Sequence, residues 1–457
     1  MHENKTLRIA IIGGGFSGAM VAVHLLKTIT SNIVINLIER KSKIGLGVAY
    51  GTEFDCHLLN VPAGKISAFS DDPGHFMRWL RHQEITLPNT NTFAPRQLYG
   101  RYIQGLLKEA ENFSQSTARL KRFKNEAIDI KTTPENVTVY LDSGEKLEVD
   151  KVVLALGNFP PANPKVKNPT FYSSQRYINS TWSQKWLNLL SADDPVFLIG
   201  SGLTALDVVI SLYQRKHKGK IYIVSRRGLL PQSHQLGITY PSFLNTSQTS
   251  QTISNLVRLV RQEIKTAKEL GYDWRVVIDA LRNETQTIWQ TLPLKEKRRF
   301  LRHVRPYWDI HRHRIAPEIA QVIAELIDSE QVVVYAGRIQ AFYEDADGVD
   351  VEICKRGSDY TEKLRCAVVI NCTGFQSDYR KLQHPLIKNL LASGQIQPHA
   401  LNLGLNVAKN GALVDTSSKV SQQIYTIGSA RIGELWETIA VPELREQSRL
   451  LAQELLN

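Results

Sequence analysis

Cysteine is scarce in this 457-residue sequence, and its four copies are isolated from one another. Cys56, Cys354, Cys366 and Cys372 form no Cys-x-x-Cys pair and have no spacing typical of metal ligands. We therefore expect no bound metal. We also disfavour the class of redox enzymes that work through two neighbouring cysteines.

Long apolar runs are also missing. No stretch approaches the length that spans a bilayer, and Met1–Lys5 leads directly into a predicted strand rather than into a signal peptide. The sequence contains neither internal repeats nor low-complexity segments. These features predict a cytoplasmic globular protein without a membrane partner, and the length suits two or three domains.

The chain is basic, with a net charge of +12, and the excess is concentrated in one segment. Residues 295–314 contain eight Lys or Arg and two acidic residues. The net charge of this segment, +6, is half of the total of +12. Basic clusters can bind nucleic acid, but no nucleic-acid fold signature or interleaved aromatic pattern accompanies this one. We predict no nucleic-acid partner. Attraction of an anionic dinucleotide or substrate, or a solvated helix face, are the alternatives left open.

A glycine-rich loop follows the first predicted strand. The predicted order is strand Leu7–Ile12, loop Gly13–Gly18 and helix Ala19–Leu26, and a second strand, Ile33–Ile38, ends in Glu39. This pattern is typical of dinucleotide binding, with pyrophosphate at the helix N-terminus and the acid on a ribose. The residues assigned to this nucleotide are Gly13, Gly15, Phe16, Ser17, Gly18, Glu39 and Arg40.

A second loop of the same kind occurs about 185 residues later. Strand Pro195–Ile199 leads into Gly200–Ala205, and the next strand, Lys220–Val224, ends in Ser-Arg-Arg-Gly rather than in an acid. Two arginines suit a 2′-phosphate, so this loop predicts NADPH in preference to NADH. The alternative for the arginines is ordinary solvated charge. The residues assigned to the second nucleotide are Gly200, Gly202, Leu203, Thr204, Ser225, Arg226 and Arg227.

Two further strands run into glycine, at Lys151–Gly157 and Ala367–Gly374, and a third occurs at Ile424–Gly428. They resemble segments that flank the inserted NAD(P)H domain of two-dinucleotide flavoproteins, which implies that the first loop binds FAD. That superfamily has an Asp after the last glycine, whereas this chain has Ser429, so that flavin contact could pass to a backbone N–H.

The predicted fold is therefore α/β, with a Rossmann-like FAD domain into which a Rossmann-like NADPH domain is inserted. The FAD domain spans residues 1–160 and 368–457, and the NADPH domain spans 161–367. Helical periodicity within 254–270, 274–281 and 315–327 predicts a helical insertion at about 245–330.

Five stretches are recognisable together, namely Leu46–Gly51, Leu58–Lys65, Phe93–Gly100, Arg305–Arg314 and Trp436–Arg445. They resemble one bacterial FAD/NAD(P)-binding family, whose flavin domain is similar to those of an FAD-dependent urate hydroxylase and a nitrosuccinate-forming aspartate N-monooxygenase. The resemblance implies an NADPH-consuming monooxygenase that uses O2 to hydroxylate a small polar substrate through a flavin hydroperoxide. It leaves urate-like heterocycles and amino-acid amines equally open.

The same resemblance assigns residues around the flavin. Lys65 could stabilise negative charge on the ring or be a solvated loop lysine, and Arg96 could bind the FAD phosphates or a substrate anion. Trp436 could stack on a planar ligand or pack at a domain seam. The remaining residues expected to line the flavin or its nucleotide are Asn60, Pro62, Ala63, Gly157, Gly374 and Gly428.

Residues Tyr307–Arg314 contain two histidines, a residue type that can act as an acid or a base near neutral pH. His311 and His313 are candidate acid–base residues for the substrate or NADPH, and no carboxylate or thiol has the spacing to make them metal ligands. A structural ion-pair network that includes Glu318 is the alternative.

Two other functions remain compatible with the sequence. Both loops equally fit an NAD(P)H-dependent flavoprotein reductase or dehydrogenase that transfers no oxygen. A non-catalytic FAD-binding redox sensor is the second alternative. The sequence gives no prediction of the oligomeric state.

Overall fold

The computed structural model describes residues 6–28, 32–114, 118–182, 184–235, 239–244 and 252–457. The chain forms two compact units. The first contains Met1–Gly51, Pro62–Phe159 and Gln376–Asn457, and the second contains Thr52–Val61 and Pro160–Phe375.

The strands within the described residues are numbered in chain order. They are β1 (Leu7–Ile12), β2 (Ile33–Ile38), β3 (Ala118–Phe123), β4 (Ala127–Thr132), β5 (Val137–Leu141), β6 (Lys146–Val149), β7 (Lys151–Leu154), β8 (Tyr177–Ile178), β9 (Val196–Ile199), β10 (Ile221–Ser225), β11 (Val332–Glu344), β12 (Val349–Lys355), β13 (Thr361–Cys366), β14 (Val368–Asn371), β15 (Ala412–Val414) and β16 (Val420–Thr426).

The α-helices are numbered in the same way, and in the described part of the chain none is long and apolar enough to cross a bilayer. They are α1 (Phe16–Leu26), α2 (His75–His82), α3 (Arg96–Phe113), α4 (Leu203–Gln214), α5 (Ile253–Glu269), α6 (Trp274–Ala280), α7 (Thr285–Thr291), α8 (Leu294–Arg299), α9 (Arg305–Arg312), α10 (Pro317–Asp328), α11 (Pro385–Ala392), α12 (Ile432–Leu435) and α13 (Val441–Leu456).

The first unit is built on a six-stranded sheet in the order β15-β16-β7-β1-β2-β3, which is parallel except for β15. Helix α1 packs against α3 and α13. Ala10 and Ile12 of β1 share a buried core with the antiparallel sheet β4-β5-β6 and with α11. The last four residues of β1 are buried, and all four are apolar. A continuous apolar run of this kind is typical of a parallel strand that is covered on both faces.

The second unit is built on a seven-stranded sheet in the order β13-β12-β11-β10-β9-β14-β8. The strands from β10 to β8 are parallel, and β11 runs parallel to β10 before it pairs antiparallel with β12. One face is covered by apolar residues of α4 and α10, such as Leu206 and Ile323. The other face packs on Phe171.

Most of the predicted elements are present. β1 and β2 have the predicted bounds. β4 and β5 form an antiparallel pair, which β6 extends. β11 is a long strand with an irregularity between Ile339 and Ala341. The predicted helical insertion contains α5 to α10, while its first residues, 245–251, lie outside the described chain.

The division between the units differs from the predicted boundaries at two places. Thr52–Val61, expected in the first domain, belongs to the second unit, where Phe54 is buried in the core beside α4. The strand at Val368–Asn371, expected to return to the first domain, pairs with β9 and β8 in the second sheet. The chain re-enters the first unit only at Gln376.

Candidate dinucleotide-binding sites

The first glycine loop connects β1 to α1. Gly13 has a φ of +107°, and a Cβ atom at this position would lie 2.2 Å from the carbonyl oxygen of Ala155. Only glycine fits there, because both the backbone conformation and the neighbouring strand exclude a side chain. Helix α1 then begins at Phe16 after Gly15, and no side chain caps its N-terminus. Backbone N–H groups and the positive end of the helix dipole therefore face the loop.

The carboxylate of Glu39 fixes this loop from the end of β2. One oxygen accepts a hydrogen bond from the Gly14 N–H at 2.8 Å, and the other accepts from the Lys41 N–H at 2.9 Å. Each carboxylate oxygen has a further lone pair, so Glu39 can still accept ribose hydroxyls. Arg40 is exposed, and its guanidinium lies 3.8 Å from the carboxylate of Glu126.

A second glycine segment lies over the first loop. The Gly45 N–H donates to the Gly14 carbonyl at 2.6 Å. A Cβ on Gly15 would lie 3.4 Å from the Cα of Gly47. The stretch Leu46–Gly51 thus covers the first glycine loop.

Phe16, the first residue of α1, is buried among aromatic rings. Its ring is stacked 6.2 Å from that of Tyr99 and meets Tyr50 edge-on at 6.3 Å. Burial raises the pKa of the Tyr50 phenol well above its usual value, and the nearby guanidinium of Arg96 opposes that rise. Arg96 is itself buried at the start of α3. Phe16 therefore anchors the helix rather than lining an open surface.

The ends of β7 and β16 are joined beside this loop. The Ser429 hydroxyl donates to the Gly157 carbonyl at 2.5 Å. A Cβ on Gly428 would lie 3.6 Å from the Ser17 hydroxyl. The residue that replaces the expected Asp thus ties together two glycine-containing strand ends next to the N-terminus of α1.

A buried amide network, which the sequence analysis missed, holds Gly428. The side chain of Gln447 accepts from the Gly428 N–H at 3.2 Å and donates to the Thr438 hydroxyl at 2.8 Å. That hydroxyl donates to the Gly428 carbonyl at 3.1 Å. The Gly428 N–H is therefore engaged within the protein. No local sequence signal reveals this network, because Gln447 lies on α13, 19 residues away.

Trp436 follows α12 and is buried, with 8% of its surface exposed. Its φ of +62° is uncommon for a bulky residue, so packing must hold it against a backbone preference. Trp436 is therefore a buried residue, held in place by the protein around it.

The segment around Lys65 is divided between the two units. Pro62 and Ala63 are buried at the start of a short 3₁₀ turn in the first unit, and Lys65, which ends that turn, is exposed. Asn60 belongs to the second unit, where its carbonyl lies 2.9 Å from Nε2 of His234.

The second glycine loop, between β9 and α4, repeats the construction of the first. Gly200 has a φ of +101°, and a Cβ there would lie 2.8 Å from the carbonyl oxygen of Cys372. Helix α4 begins at Leu203 after Gly202, and no side chain caps it. Thr204 is half-buried in the first turn.

In each unit, a further glycine follows the strand end that contacts the loop glycine. Gly157 comes two residues after Ala155, and Gly374 comes two residues after Cys372. Both have positive φ, +65° and +87°, and a Cβ on either would meet nothing within 4 Å. The backbone at Gly157 and at Gly374 therefore has free space beside it.

The end of β10 carries the residues predicted to select NADPH. The Ser225 hydroxyl accepts from the Gly228 N–H at 3.0 Å and lies 2.8 Å from the Ser201 hydroxyl. Arg226 is exposed. Arg227 donates to the Tyr307 hydroxyl at 2.9 Å, and its guanidinium lies 5.0 Å from the centre of that ring. Ser225 therefore shapes the turn, whereas the two arginines are held differently.

The two histidines predicted as acid–base residues lie at the C-terminal end of α9. Nδ1 of His311 lies 2.7 Å from the Tyr307 carbonyl, and its ring is edge-on to Trp274. His313 follows the helix and is half-buried.

Ion pairs in the same segment link Arg305 to Asp309 and Arg314 to Asp279. The described residues contain no group of His, Cys, Asp or Glu arranged to hold a metal ion.

Comparisons with known proteins relate to the same regions. Residues 10–159 match a family model described as FAD-NAD(P)-binding. No curated protein matches the chain.

Solved structures match at low identity over nearly the whole chain. The ornithine N-hydroxylase of Kutzneria sp. 744, in complex with reduced FAD, NADP+ and L-ornithine, is 14% identical, with a TM-score of 0.66 and 99% of each chain covered. The L-lysine 6-monooxygenase of Pseudomonas syringae is 14% identical, with a TM-score of 0.65 and 98% of each chain covered. The FAD-bound cadaverine monooxygenase of Erwinia amylovora is 12% identical, with a TM-score of 0.65 and coverage of 98% of this chain and 94% of that one. The chain therefore has the α/β fold of these two-dinucleotide flavoproteins, as the sequence predicted.

The contrast between Gly200 and Gly202 provides a test of the loop geometry. Gly200→Ala should lower the free energy of unfolding by about 1–3 kcal/mol or more, because it combines a positive φ with a contact to the Cys372 carbonyl. Gly202→Ala should change it little, since a Cβ there meets nothing within 4 Å. Urea unfolding of both variants measures the difference, and equal stability of the two would contradict this geometry.

Proposed function

We propose that the protein is an FAD-dependent, NADPH-consuming monooxygenase that hydroxylates a small polar substrate. The observation that carries this proposal is the repeated loop. Gly13 and Gly200 have nearly the same backbone conformation, each lies against a neighbouring strand, and each precedes an uncapped helix. One chain with two such loops can hold both a flavin and a nicotinamide nucleotide.

The first unit suits FAD. The N-terminus of α1 offers unpaired N–H groups and a positive dipole to a pyrophosphate, and Gly15 leaves room for the phosphates to approach. Glu39 is held by two backbone N–H groups and is oriented to accept ribose hydroxyls. The family model described as FAD-NAD(P)-binding spans all of these residues.

The second unit suits NADPH. Gly202 lies at the N-terminus of α4 with open space around it, where a pyrophosphate fits. At the end of β10 the chain has Ser225, Arg226 and Arg227 in place of the acid that suits a free 2′-hydroxyl. Arg227 is pre-oriented by its contact with Tyr307 and still has donors left for an anion.

When bound, FAD supplies hydride acceptance from NADPH and, once reduced, activation of O2 for oxygen transfer. The chain's own residues supply position. Glu39 and the loop glycines orient the first nucleotide, and the Ser429–Gly157 hydrogen bond fixes the strand ends beside it. The Gln447 network holds the backbone of Gly428 in one arrangement.

An amine is the substrate class that the comparisons favour. The similar structures include enzymes named for ornithine, lysine and cadaverine, which all carry a primary amine. A urate-like heterocycle has no such support. We therefore place N-hydroxylation of a small amine ahead of ring hydroxylation.

Oxygen-isotope labelling tests the reaction. The FAD-loaded protein is supplied with NADPH, ¹⁸O2 and a panel of amino acids, diamines and urate, and the products are analysed by mass spectrometry. We expect one ¹⁸O atom in one amine product, together with NADPH oxidation that rises with that substrate. NADPH oxidation that yields only hydrogen peroxide with every compound would instead favour the reductase alternative.

Two valine substitutions separate the nucleotide sites. Gly15→Val should abolish retention of FAD, because the side chain occupies the space needed at the N-terminus of α1. Gly202→Val should leave FAD bound and weaken NADPH, because it alters only the α4 loop. Flavin absorbance after gel filtration and NADPH titration of each variant provide the readouts. A Gly15→Val protein that retains stoichiometric flavin would refute the assignment of the first loop.

The arginines after β10 set the expected cofactor preference. Replacing both Arg226 and Arg227 with Ala should raise the KM for NADPH at least about tenfold and that for NADH far less, since each charge-assisted hydrogen bond contributes roughly 1.5–3 kcal/mol. Tyr307→Phe is the matched control, because it removes the hydrogen bond to Arg227 but keeps the ring beneath the guanidinium. An equal rise for both cofactors would show that the arginines do not contact the 2′-phosphate.

A further inference from the structure

Arg314 is a buried cation in the second unit, in the link between α9 and α10. Only 3% of its surface is exposed. The next residue, Ile315, forms a bridge with Ser233, and its carbonyl accepts from the His234 N–H at 2.8 Å. The backbone around Arg314 is thus fixed to the segment that follows β10.

The guanidinium of Arg314 is only partly satisfied by the protein. Nη2 donates to the carboxylate of Asp279 on α6. The Nε and Nη1 atoms are buried and have no hydrogen-bond acceptor among the described residues. Buried donors of a charged group are costly to leave without acceptors, so two unused donors on a fixed cation indicate that a group is to be bound.

Two further arginines lie near Arg314. Arg275 and Arg312 are close enough for their charges to act on it. Arg275 is committed to Asp273, at 2.9 Å, and to the Ser233 carbonyl, at 2.8 Å. Asp279, the partner of Arg314, is itself 53% exposed. The carboxylate that pairs with Arg314 is therefore largely in solvent, where it contributes weakly.

The neighbouring histidine adds no further positive charge near neutral pH. Burial, together with the charge of Arg314, lowers the pKa of His234 to about 4. Its Nε2 lies 2.9 Å from the Asn60 carbonyl, which fixes the ring. Asn60 and Ile315 also line a small cavity of about 10 Å³, which has room for about one water molecule.

We propose that Arg314 is the anchor of an anion-binding subsite in the second unit, formed by its free Nε and Nη1 donors beside Arg275. The ligand group is a carboxylate or a phosphate, because these acceptors match the donor geometry of a guanidinium. Two sources carry this chemistry, namely the 2′-phosphate of NADPH and a carboxylate on the substrate. The subsite goes beyond the proposed function and does not depend on oxygen transfer.

The partner carboxylate supplies the sharpest test. Calorimetry with inorganic phosphate is carried out on the FAD-loaded protein that carries Arg226→Ala and Arg227→Ala, so that the two arginines after β10 do not contribute. Asp279→Asn should tighten phosphate binding about fivefold or more, because it removes the anion that competes for Arg314 while leaving an exposed, isosteric side chain. Arg314→Met should abolish the phosphate signal, and Arg314→Lys should retain part of it.

Arg305→Gln serves as the control, since Arg305 lies in the same basic segment but is 46% exposed and paired with Asp309. It should bind phosphate like the parent protein. Unchanged affinity in Asp279→Asn, or parental affinity in Arg314→Met, would overturn the proposal. If Arg314→Met does not fold, the results with Asp279→Asn and Arg314→Lys still decide it.

Two further probes identify the source of the anion. Adenosine 2′,5′-bisphosphate and adenosine 5′-monophosphate differ by the 2′-phosphate, and acetate represents a carboxylate. If Arg314→Lys weakens only the bisphosphate, the subsite serves the cofactor, and if it weakens only acetate, the subsite serves the substrate. A variant that binds all three probes like the parent protein would overturn the proposal, whether or not the enzyme proves to be a monooxygenase.

Discussion

The structure depends on one close contact that occurs twice, between a loop glycine and the carbonyl end of the strand next to it. Gly13 lies against Ala155 in the first unit, and Gly200 lies against Cys372 in the second. In both places a single added carbon would come within 3 Å of a backbone oxygen, in a backbone conformation that side chains avoid. The contact brings loop, strand and helix together, and so it determines where the helix N-terminus points.

The rest of each site follows from that contact. The loop glycine lies against the end of the neighbouring strand. The chain that continues from this strand end contains Gly157 in the first unit and Gly374 in the second, and both glycines have free space beside them. In the first unit further bonds hold the arrangement, through Glu39 on one side and Ser429 on the other. In the second unit the Ser201–Ser225 contact has the corresponding role at the end of β10. The two units therefore have the same backbone arrangement around the loop. They differ in the charge that follows the second strand, which is Glu39 in the first unit and Arg226 with Arg227 in the second.

Local sequence was sufficient for the elements that carry these loops, since parallel strands buried on both faces are continuous apolar runs and the glycines mark the turns. It was insufficient where distant contacts decide. Thr52–Val61 reads as part of the first domain, yet Phe54 finds its apolar partners beside α4. The sequence of β14 resembles a strand that returns to the first domain, but β14 pairs with β9 of the second unit. Gln447 had no local signal, because its role consists of bonds to residues on other elements.

The basic segment 295–314 shows why net charge alone could not assign a function. Some of its cations have structural partners. Arg299 binds Glu296, a buried carboxylate that also accepts the first N–H of α5, and Lys297 lies over the ring of Trp289. Arg314, the last of them, is buried with two donors unused. A solvated helix face would leave such donors in water, and a purely structural cation would have them satisfied. Arg314 meets neither condition, which supports the anion-binding role proposed above, and no count of charges along the sequence could have separated it from a surface cation.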